Sequence, residues 1–432
     1  MKYKKERGIT MKKRCMIAFA GLVVLLCVGI PFLHFERTIS PEVASAAQST
    51  EQTAPEKDKN LKGLQKIGGK YYYYVKGKAL TNTYKRVNIS GINYYFYFQK
   101  DGSAYTDGYK RVTTPDGNTY FCYFKKNGRA YNNGLKKVNI NGVNYYFYFN
   151  KYGRAVTDTL KKVTDSKGNV ALYYFRTNGR ALTNSFKDID GNKYYFKNNG
   201  KACTEGKHNI SHYLCYFDEN GVLTRRIDKN KKMIALTYDD GPSKYTYKVL
   251  DVMEEYNSVC TFFIVGNRVS SYKDFVKREA ELGCELANHT YDHEILTKLD
   301  SRDEIKEQVE KCNDTIEELT GIRPKLVRTP GGGRNEMVDE TIGMPNILWS
   351  VDTLDWKTRD TDATIKSVKE EAYDGAIILM HDLHEATTDA AKTIVPYLID
   401  QGYQLVTVSE MAECRGVELE DGTRYYSMRP QK

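Results

Sequence analysis

The chain of 432 residues contains nine cysteines but lacks any Cys-x-x-Cys pair, so a thiolate zinc site of the usual spacing is not indicated. Tryptophan is scarce, and both copies, Trp349 and Trp356, lie in the C-terminal half. Carboxylates are few in the middle of the chain. From Leu61 to Lys232 there are 11 Asp and Glu against 32 Lys and Arg, a net charge of +21, whereas Met233 to Lys432 carry 38 against 23, a net charge of −15. This reversal predicts two modules with different roles.

Charge is also absent from the 19 residues Cys15 to Leu33, which follow a strongly basic N-terminus. Basic residues before an apolar run predict export of the chain that follows. The run is longer than the ~7–15 residues of a secretory signal and close to the ~20 that span a bilayer. The segment Ala44-Ser45-Ala46 offers a peptidase site. Residues 1–34 are therefore predicted to be a signal peptide or a membrane anchor, with the rest of the chain at the cell surface or in the cell wall.

Outside this run the chain has seven cysteines, an odd number. At least one thiol is therefore free or pairs between chains. Cys260 and Cys284 each start a predicted strand and are candidates to meet.

Residues 35–61 are rich in Ser, Ala, Glu, Gln and Lys and predict a linker. Residues 62–229 then repeat a short unit in which a Tyr/Phe run meets an Asn-Gly, Asp-Gly or Lys-Gly turn, the pattern of a β-hairpin. The turn glycines are spaced by 25, 26, 25, 26, 21 and 21 residues, at Gly77, Gly102, Gly128, Gly153, Gly179, Gly200 and Gly221. A single hairpin is barely stable in water, so an all-β array is predicted in which stacked units bury each other's tyrosines.

These units, such as GNKYYFKNNGKA at 191–202, resemble the cell-wall-binding and glucan-binding repeats on surface proteins of Gram-positive bacteria. The related choline-binding type uses tryptophans to bind choline. Residues 62–229 contain no tryptophan, so choline is not expected. The resemblance implies binding to wall polymers, and the charge of +21 suits anionic ones. Aromatic rings could also stack on sugars. Nucleic-acid binding by the same basic, tyrosine-rich region is an alternative that the export segment disfavours.

From about residue 230 short apolar runs alternate with helical stretches. Seven runs have the length of strands: MIALTY, CTFFIVG, ELANH, KLVRTP, NILWSV, AIILMH and QLVTV. Such alternation predicts parallel strands with crossover helices. Residues 230–425 are therefore predicted to form an α/β domain, a distorted or incomplete β/α barrel of about seven strands. Chemistry in such a barrel lies at the carboxyl ends of the strands.

Five motifs lie at the ends of these runs: TYDDGP (237–242), HTYDH (289–293), RTPGG (328–332), DTLDW (352–356) and LMH (379–381). In this order they resemble the polysaccharide deacetylase family with the NodB homology domain, carbohydrate esterase family 4, over roughly residues 230–415. One motif alone occurs by chance, but five in order are specific. The resemblance implies metal-dependent hydrolysis of N-acetyl groups on N-acetylglucosamine units of a cell-surface polysaccharide.

Asp240, His289 and His293 are the predicted metal ligands. The two histidines are four residues apart, so one turn of helix would place both imidazoles on one face. With the Asp240 carboxylate they make a set that leaves positions open for water and substrate. Zinc is the expected ion, and cobalt or nickel would also fit these nitrogen and oxygen ligands.

The predicted general base is Asp239, which the resemblance implies is held by Arg328. His381 is the predicted acid that protonates the leaving amine. Asp355 is expected to pair with His381 and raise its pKa. Asp352 is expected to fix the local loop or to support the site from behind the residues that contact the substrate.

Three residues are predicted to contact the substrate. Family members often carry tyrosine after the proline of the third motif, where this chain has Gly331, whose N–H would stabilise the oxyanion. Trp356 and Leu379 would line the pocket for the acetyl methyl group. Peptidoglycan is the expected substrate. The alternatives are a secreted poly-N-acetylglucosamine, another acetylated glycan, and an inactive wall-anchored adhesin, against which the intact motif residues speak.

Overall fold

The structure is a computed structural model that describes residues 60–114 and 116–430. The predicted signal or anchor at 1–34 lies outside the described residues, as does the predicted linker apart from residues 60 and 61. In the two described ranges no helix has the length and apolar character needed to cross a membrane.

The described part of the repeat region consists of consecutive antiparallel sheets, most of them single hairpins. Their strands are β1 (Gly63–Ile67), β2 (Lys70–Val75), β3 (Lys78–Ala79), β4 (Thr83–Ile89), β5 (Ile92–Phe98), β6 (Gly108–Thr113), β7 (Thr119–Phe124), β8 (Gly134–Ile140), β9 (Val143–Phe149), β10 (Thr159–Thr164), β11 (Val170–Phe175), β12 (Ser185–Ile189), β13 (Asn192–Phe196), β14 (Gly206–Ile210), β15 (Tyr213–Phe217) and β16 (Leu223–Asp228). The hairpin units predicted from the glycine spacing are therefore present.

Five consecutive units are each joined to the one before by a backbone hydrogen bond. After the turn at Gly128, with φ of 75°, the Ala130 N–H donates to the Tyr95 carbonyl 2.7 Å away in the preceding hairpin. Ala155 bonds Phe121 in the same way at 2.8 Å. Because these five units each donate to an acceptor in the preceding hairpin, they stack in sequence.

Phenylalanines fill the interior of this array. Phe124, Phe149 and Phe175 are fully buried. The expectation that tyrosines bury one another holds for some, such as Tyr174, which is buried with Tyr194 and donates to Asp158, but most tyrosines are half-buried beside the phenylalanines. The phenol oxygen explains the difference, since it needs water or a partner when buried.

The C-terminal domain has parallel strands and surrounding helices. Its strands are β17 (Met233–Asp239), β18 (Thr261–Ile264), β19 (Glu285–Asn288), β20 (Asn346–Ile347), β21 (Val351–Asp352), β22 (Ile377–His381), β23 (Gln404–Leu405) and β24 (Arg424–Tyr425). Its helices are α1 (Thr246–Glu255), α2 (Lys273–Glu281), α3 (Arg302–Thr320), α4 (Glu336–Thr341), α5 (Asp355–Thr358), α6 (Thr361–Glu371), α7 (Glu385–Asp400) and α8 (Val408–Arg415). All the strands of this domain pair in parallel.

The central sheet runs in the order β19-β18-β17-β22-β21, and β23 also pairs with β17. β17 is buried along its whole length, which accounts for its continuous apolar sequence. Local sequence sets the two ends of helix α3. Ser301 and Glu304 form a capping box at its start, and Gly321, with φ of 74°, ends it.

Three of the seven predicted strands are reduced in the structure, and one of them, QLVTV, keeps only the two residues of β23. The run KLVRTP contributes a single bridge residue, Val327, which pairs with Asn288 on one side and Asn346 on the other. The run NILWSV is split into β20 and β21. In the runs KLVRTP and NILWSV the chain leaves the sheet to bring polar groups to the carboxyl edge.

The last repeat sheet, β14-β15-β16, packs against the C-terminal domain. Leu214 and Ile227 are buried in one apolar cluster with Met233 and Phe263. At the edge of this contact, the buried Glu410 of α8 accepts hydrogen bonds from Tyr216, at 2.6 Å, and from Arg225. The final repeat therefore supplies part of the core of the domain that follows it.

Cys260 and Cys284 lie side by side at the starts of β18 and β19. Their sulfur atoms are 3.9 Å apart and both residues are buried. They meet as the sequence suggested, and they are free thiols in the structure.

The shared cluster predicts that a change in the last repeat destabilises the C-terminal domain. Leu214→Ala should lower its free energy of unfolding by about 2–5 kcal/mol, because a fully buried leucine is removed. Both tryptophans lie in that domain, so tryptophan fluorescence during denaturation reports its unfolding. Leu172→Ala, in a separate repeat cluster, is the control and should leave this transition in place. Equal shifts for the two variants would contradict the docking.

Candidate active site

The motif residues converge at the carboxyl edge of the sheet. Asp239 ends β17 and His381 ends β22, and these two residues are direct neighbours across the sheet. His289 follows β19, and Arg328 follows the bridge residue Val327. Because parallel strands end at one edge, residues far apart in sequence come together there.

Arg328 is fully buried, and its guanidinium is surrounded by acceptors. Nη1 donates to Asp239 Oδ1 at 2.6 Å and to Thr237 Oγ1 at 2.8 Å. Nε and Nη2 donate to the carbonyls of Ile347, at 2.7 Å, and Leu348, at 3.1 Å. The guanidinium also lies 4.0 Å from the centre of the Phe263 ring. These contacts fix Arg328, and Arg328 in turn fixes one oxygen of the Asp239 carboxylate.

The backbone of Arg328 positions a second residue. Its carbonyl lies 2.7 Å from His289 Nδ1. A carbonyl can only accept, so Nδ1 carries the proton and the Nε2 of a neutral His289 presents a lone pair. This tautomer is the one that a metal ligand needs, and the backbone acceptor is a typical partner of such a histidine.

Asp240, His289 and His293 form a cluster in which one ligand atom of each lies within 4.8 Å of the others. Asp240 Oδ1 is 3.3 Å from His289 Nε2 and 3.0 Å from His293 Nε2. This oxygen is buried and its contacts lack hydrogen-bond geometry. Two imidazole nitrogens and a carboxylate oxygen facing one point fit a divalent cation of the zinc, cobalt or nickel type.

The predicted helical turn between His289 and His293 is wrong. Residues 289–293 form an irregular loop after β19. Thr290 and His293 have φ of 65° and 66°, in the left-handed region. These two reversals, rather than a 3.6-residue period, bring the imidazole rings to a centroid distance of 5.0 Å.

His381 and Asp355 form a second pair beside the cluster. Asp355 Oδ1 is 2.9 Å from His381 Nδ1, and Oδ2 accepts from the His381 backbone N–H at 2.8 Å and from Thr387 Oγ1 at 2.7 Å. Burial alone would lower the pKa of His381. The hydrogen bond and charge of Asp355, together with the charges of Asp239 and Asp240, raise this pKa to about 9. His381 is therefore an imidazolium at neutral pH.

The three predicted substrate residues differ in exposure. In the turn after Arg328, the N–H groups of Gly332 and Gly333 donate to Thr329 and Pro330, whereas that of Gly331 has no acceptor among the described residues. Leu379 is buried on β22. Trp356 is 48% exposed on α5, so its ring is not core packing. Asp352 accepts from the Leu354 N–H at 2.9 Å, as expected for a residue that fixes the loop.

Asp382 is a buried carboxyl that the sequence analysis missed. It follows His381, accepts a hydrogen bond from Thr246, and fills the space beside Gly241, where any Cβ would overlap its carboxylate. Burial raises the pKa of Asp382 to about 7. The contact of Asp382 with Gly241 fixes the position of the Asp239-Asp240-Gly241 turn. Its place directly after a motif histidine was the available signal.

Thr387 and Trp349 were also missed. The Thr387 hydroxyl donates a hydrogen bond to Asp355. The Trp349 ring lies against Gly332, and its centre is 5.7 Å from the guanidinium carbon of Arg328. No spacing pattern linked either residue to the motifs, because both contacts are made across the fold.

The C-terminal part of the chain is similar to known proteins. The model of the family described as polysaccharide deacetylase matches residues 226–343. The chain is 42% identical over 190 residues to peptidoglycan-N-acetylmuramic acid deacetylase PdaC of Bacillus subtilis, which is 44% of this chain and 40% of that protein. It is 36% identical over 198 residues to a peptidoglycan-N-acetylglucosamine deacetylase of Bacillus cereus, covering 44% of this chain and 92% of that protein.

Among solved structures, that of Bacillus subtilis PdaC aligns with a TM-score of 0.43 and 42% identity, over 44% of this chain and 94% of that one. Peptidoglycan-N-acetylglucosamine deacetylase PgdA of Listeria monocytogenes is 42% identical over 199 residues, 46% of this chain. The chain spans 40% of the length of PdaC and 42% of that of PgdA.

The cluster predicts a metal-binding variant. His293→Ala removes one of three ligands, so we expect about 10–100-fold weaker zinc binding, or no zinc retained after dialysis. Titration calorimetry and metal analysis measure this without any substrate. His208→Ala, in the repeat array, is the control. Unchanged zinc content in His293→Ala would contradict the ligand set.

The Asp355–His381 pair predicts a titration shift. In Asp355→Asn the charge that raises the His381 pKa is lost and burial dominates, so this pKa should fall by about 1–3 units. Because the pKa is raised in the folded state, the pair stabilises the fold fully below 6.5, the ordinary value, and the stabilisation is lost as pH rises through about 9. Imidazole NMR titration of the wild type and Asp355→Asn measures the shift, and Asp352→Asn is the control. A His381 pKa that stays near 9 in Asp355→Asn would exclude the pairing.

Proposed function

The chain belongs to the polysaccharide deacetylase family, and we propose that it removes N-acetyl groups from N-acetylglucosamine units of peptidoglycan by metal-dependent hydrolysis. The reaction breaks the amide C–N bond, places the oxygen of water on the acetyl carbon, and releases acetate and a free amine. One observation carries the proposal: two separate pairs, Asp239–Arg328 and His381–Asp355, flank the cluster of Asp240, His289 and His293.

A divalent metal held by Asp240, His289 and His293 would act as a Lewis acid toward water and the acetyl carbonyl. Asp239 would take the proton from the attacking water. One of its oxygens is occupied by Arg328, while Oδ2 lies 3.7 Å from His289 Nε2 and faces the cluster. A carboxylate held on one side and open on the other suits a general base.

His381 would supply the proton that the departing amine needs. An amine is a poor leaving group unless protonated, and the raised pKa keeps the proton on His381 at neutral pH. Asp355 binds Nδ1, so Nε2 is the nitrogen left to face the substrate. The Gly331 N–H, which has no acceptor among the described residues, would bind the oxyanion, and Leu379 and Trp356 would enclose the acetyl methyl group.

The pairing of the strands supports the distorted β/α barrel expected from the sequence. Residues 346–352 pair with Val327 at one end and with β22 at the other. This segment thus joins the two edges of the parallel sheet and would close it around the buried Arg328.

The proposal also covers the sugar attacked, the polymer that carries it and the location of the enzyme. The relatives include both a muramic acid and a glucosamine deacetylase, so the sugar attacked is a point for the assay. Poly-N-acetylglucosamine and other acetylated glycans are the alternative substrates. The repeats would hold the enzyme on cell-wall polymers, outside the cell, and an adhesin without activity is the non-enzymatic alternative.

The proposal is tested with the zinc-loaded chain on isolated peptidoglycan and on a soluble poly-N-acetylglucosamine, with acetate and amine release measured together. Mass analysis of digested product identifies the sugar that has lost its acetyl group. Release of acetate without amine would indicate an ester substrate. No release with zinc, cobalt or nickel would favour the adhesin.

Asp239→Asn should lower kcat by about 10²–10⁴-fold, because the base is removed while the three metal ligands stay. Asp292→Asn, an exposed carboxylate within the same HTYDH segment, is the matched control and should keep activity near that of the wild type. Bound zinc measured in both variants separates loss of the base from loss of the metal. Full activity in Asp239→Asn would refute the assignment of the base.

A further inference from the structure

The positive charge of the repeat region is almost entirely unneutralised. Among the described residues up to Lys232, ion pairs with carboxylates within 4 Å involve three lysines or arginines: Lys193, Lys207 and Arg225. Lys207 and Arg225 pair with the C-terminal domain rather than within the repeats. Most of the net charge of +21 is therefore available to an external partner.

Three arginines of this region are held on tyrosine rings at equivalent positions of consecutive units. Each follows a turn glycine and stacks on a tyrosine of the preceding hairpin. The guanidinium carbon lies 3.9 Å from the ring centre for Arg129 on Tyr94, 3.7 Å for Arg154 on Tyr120, and 3.9 Å for Arg180 on Tyr145. We refer to these three residues, Arg129, Arg154 and Arg180, as the stacked arginines.

The side chains of the stacked arginines have no hydrogen-bond acceptor and no ion-pair partner among the described residues. The Nε atoms of Arg154 and Arg180 are buried without an acceptor. Leaving buried donors unpaired costs free energy, so its recurrence in neighbouring units calls for a reason. Stacking covers one face of a guanidinium and fixes its plane, while the terminal N–H groups at its edge can still bind an oxyanion in a bidentate manner.

The arginine and the tyrosine occur together or not at all. The equivalent tyrosine position is Lys70 in the first unit, where the residue after the turn glycine is Ser103. It is Ala171 in a later unit, where the residue after the glycine is Lys201. A surface cation that served only solubility would not need the ring. The pair is therefore a unit, either an internal clamp or a prepared anion site.

A second row of tyrosine rings also carries the chain's own cations. Lysines lie over rings at one position per unit: Lys85 over Tyr73 at 5.6 Å, Lys110 over Tyr97 at 5.5 Å, Lys136 over Tyr123 at 4.4 Å, Lys161 over Tyr148 at 4.6 Å and Lys187 over Tyr174 at 5.3 Å. Ring faces covered in this way are less open to sugars, nucleobases or quaternary ammonium groups. The exposed chemistry of the array is that of fixed cations.

We propose that the repeat array binds a linear phosphodiester polymer without bases, and that the stacked arginines are its phosphate contacts. One guanidinium fork in each of three consecutive units gives a periodic set of oxyanion sites along this part of the array. The proposal concerns binding by the repeats and does not depend on the catalytic proposal.

The test compares two triple variants of the full chain for binding to poly(glycerol phosphate), by titration calorimetry at several salt concentrations. One replaces the stacked arginines by glutamine. The other replaces Arg86, Arg111 and Arg176, also by glutamine. These three are exposed arginines of the same region without a tyrosine partner. The charge removed is identical. We expect the stacked triple to lose at least about tenfold in affinity with a weaker salt dependence, and the control triple to lose less than about threefold.

Equal losses in the two triples would overturn the proposal, since net charge alone would then explain binding. Equal affinity of the wild type for single-stranded DNA would also overturn it, because the polymer would not need to lack bases. Acetate release from a soluble substrate, measured in the same variants, should stay unchanged, which keeps this result separate from the catalytic assay.

If the stacked triple loses β-structure by circular dichroism, Arg154→Lys is compared with Arg111→Lys. Lysine keeps the charge but not the planar fork. A several-fold loss confined to Arg154→Lys supports the phosphate contact, and equal affinities contradict it.

Discussion

The candidate site depends on one buried residue, Arg328, whose side chain and backbone connect its two halves. The guanidinium holds Asp239, the predicted base, while the carbonyl of the same residue fixes the ring of His289, a predicted metal ligand. Removing one partner of a buried ion pair costs about 3–5 kcal/mol, because the other charge is left without compensation. The cost of burying the Arg328 charge is offset because its donors reach Asp239, Thr237 and two backbone carbonyls.

The loops at this edge hold their residues in backbone conformations that side chains seldom adopt. Asp240, Thr290 and His293 have φ between 65° and 68°, and Leu354 has φ of 55°. Such conformations cost free energy and persist where surrounding contacts impose them. The Asp382 carboxyl against Gly241 and the Asn288 side chain against the Thr290 N–H, at 2.7 Å, are contacts of that kind. The strands bring the motifs together, and these loops aim the ligand atoms.

Sequence periodicity and spacing could predict much of this structure, and the limits are physical. Continuous apolar runs such as Met233 to Tyr238 predict buried parallel strands, and the turn glycines predict the hairpins. The geometry of His289 and His293 could not be read from a spacing of four, because two left-handed residues imitate a helical turn. Asp382 and Thr387 act through contacts across the fold, which leave no local pattern. Leu214 reads as a repeat residue but is core for the following domain.

Both parts of the chain use arginine held by its surroundings. In the C-terminal domain a buried guanidinium orients a carboxylate, and in the repeats stacked guanidinium groups present free edges. The central claim is that Asp240, His289 and His293 share one ion beside Asp239 and His381. Anomalous X-ray diffraction from zinc-soaked crystals of the chain tests it most directly. The account predicts a single strong peak about 2.0–2.2 Å from all three ligand atoms, and a zinc peak away from these residues, or none, would contradict it.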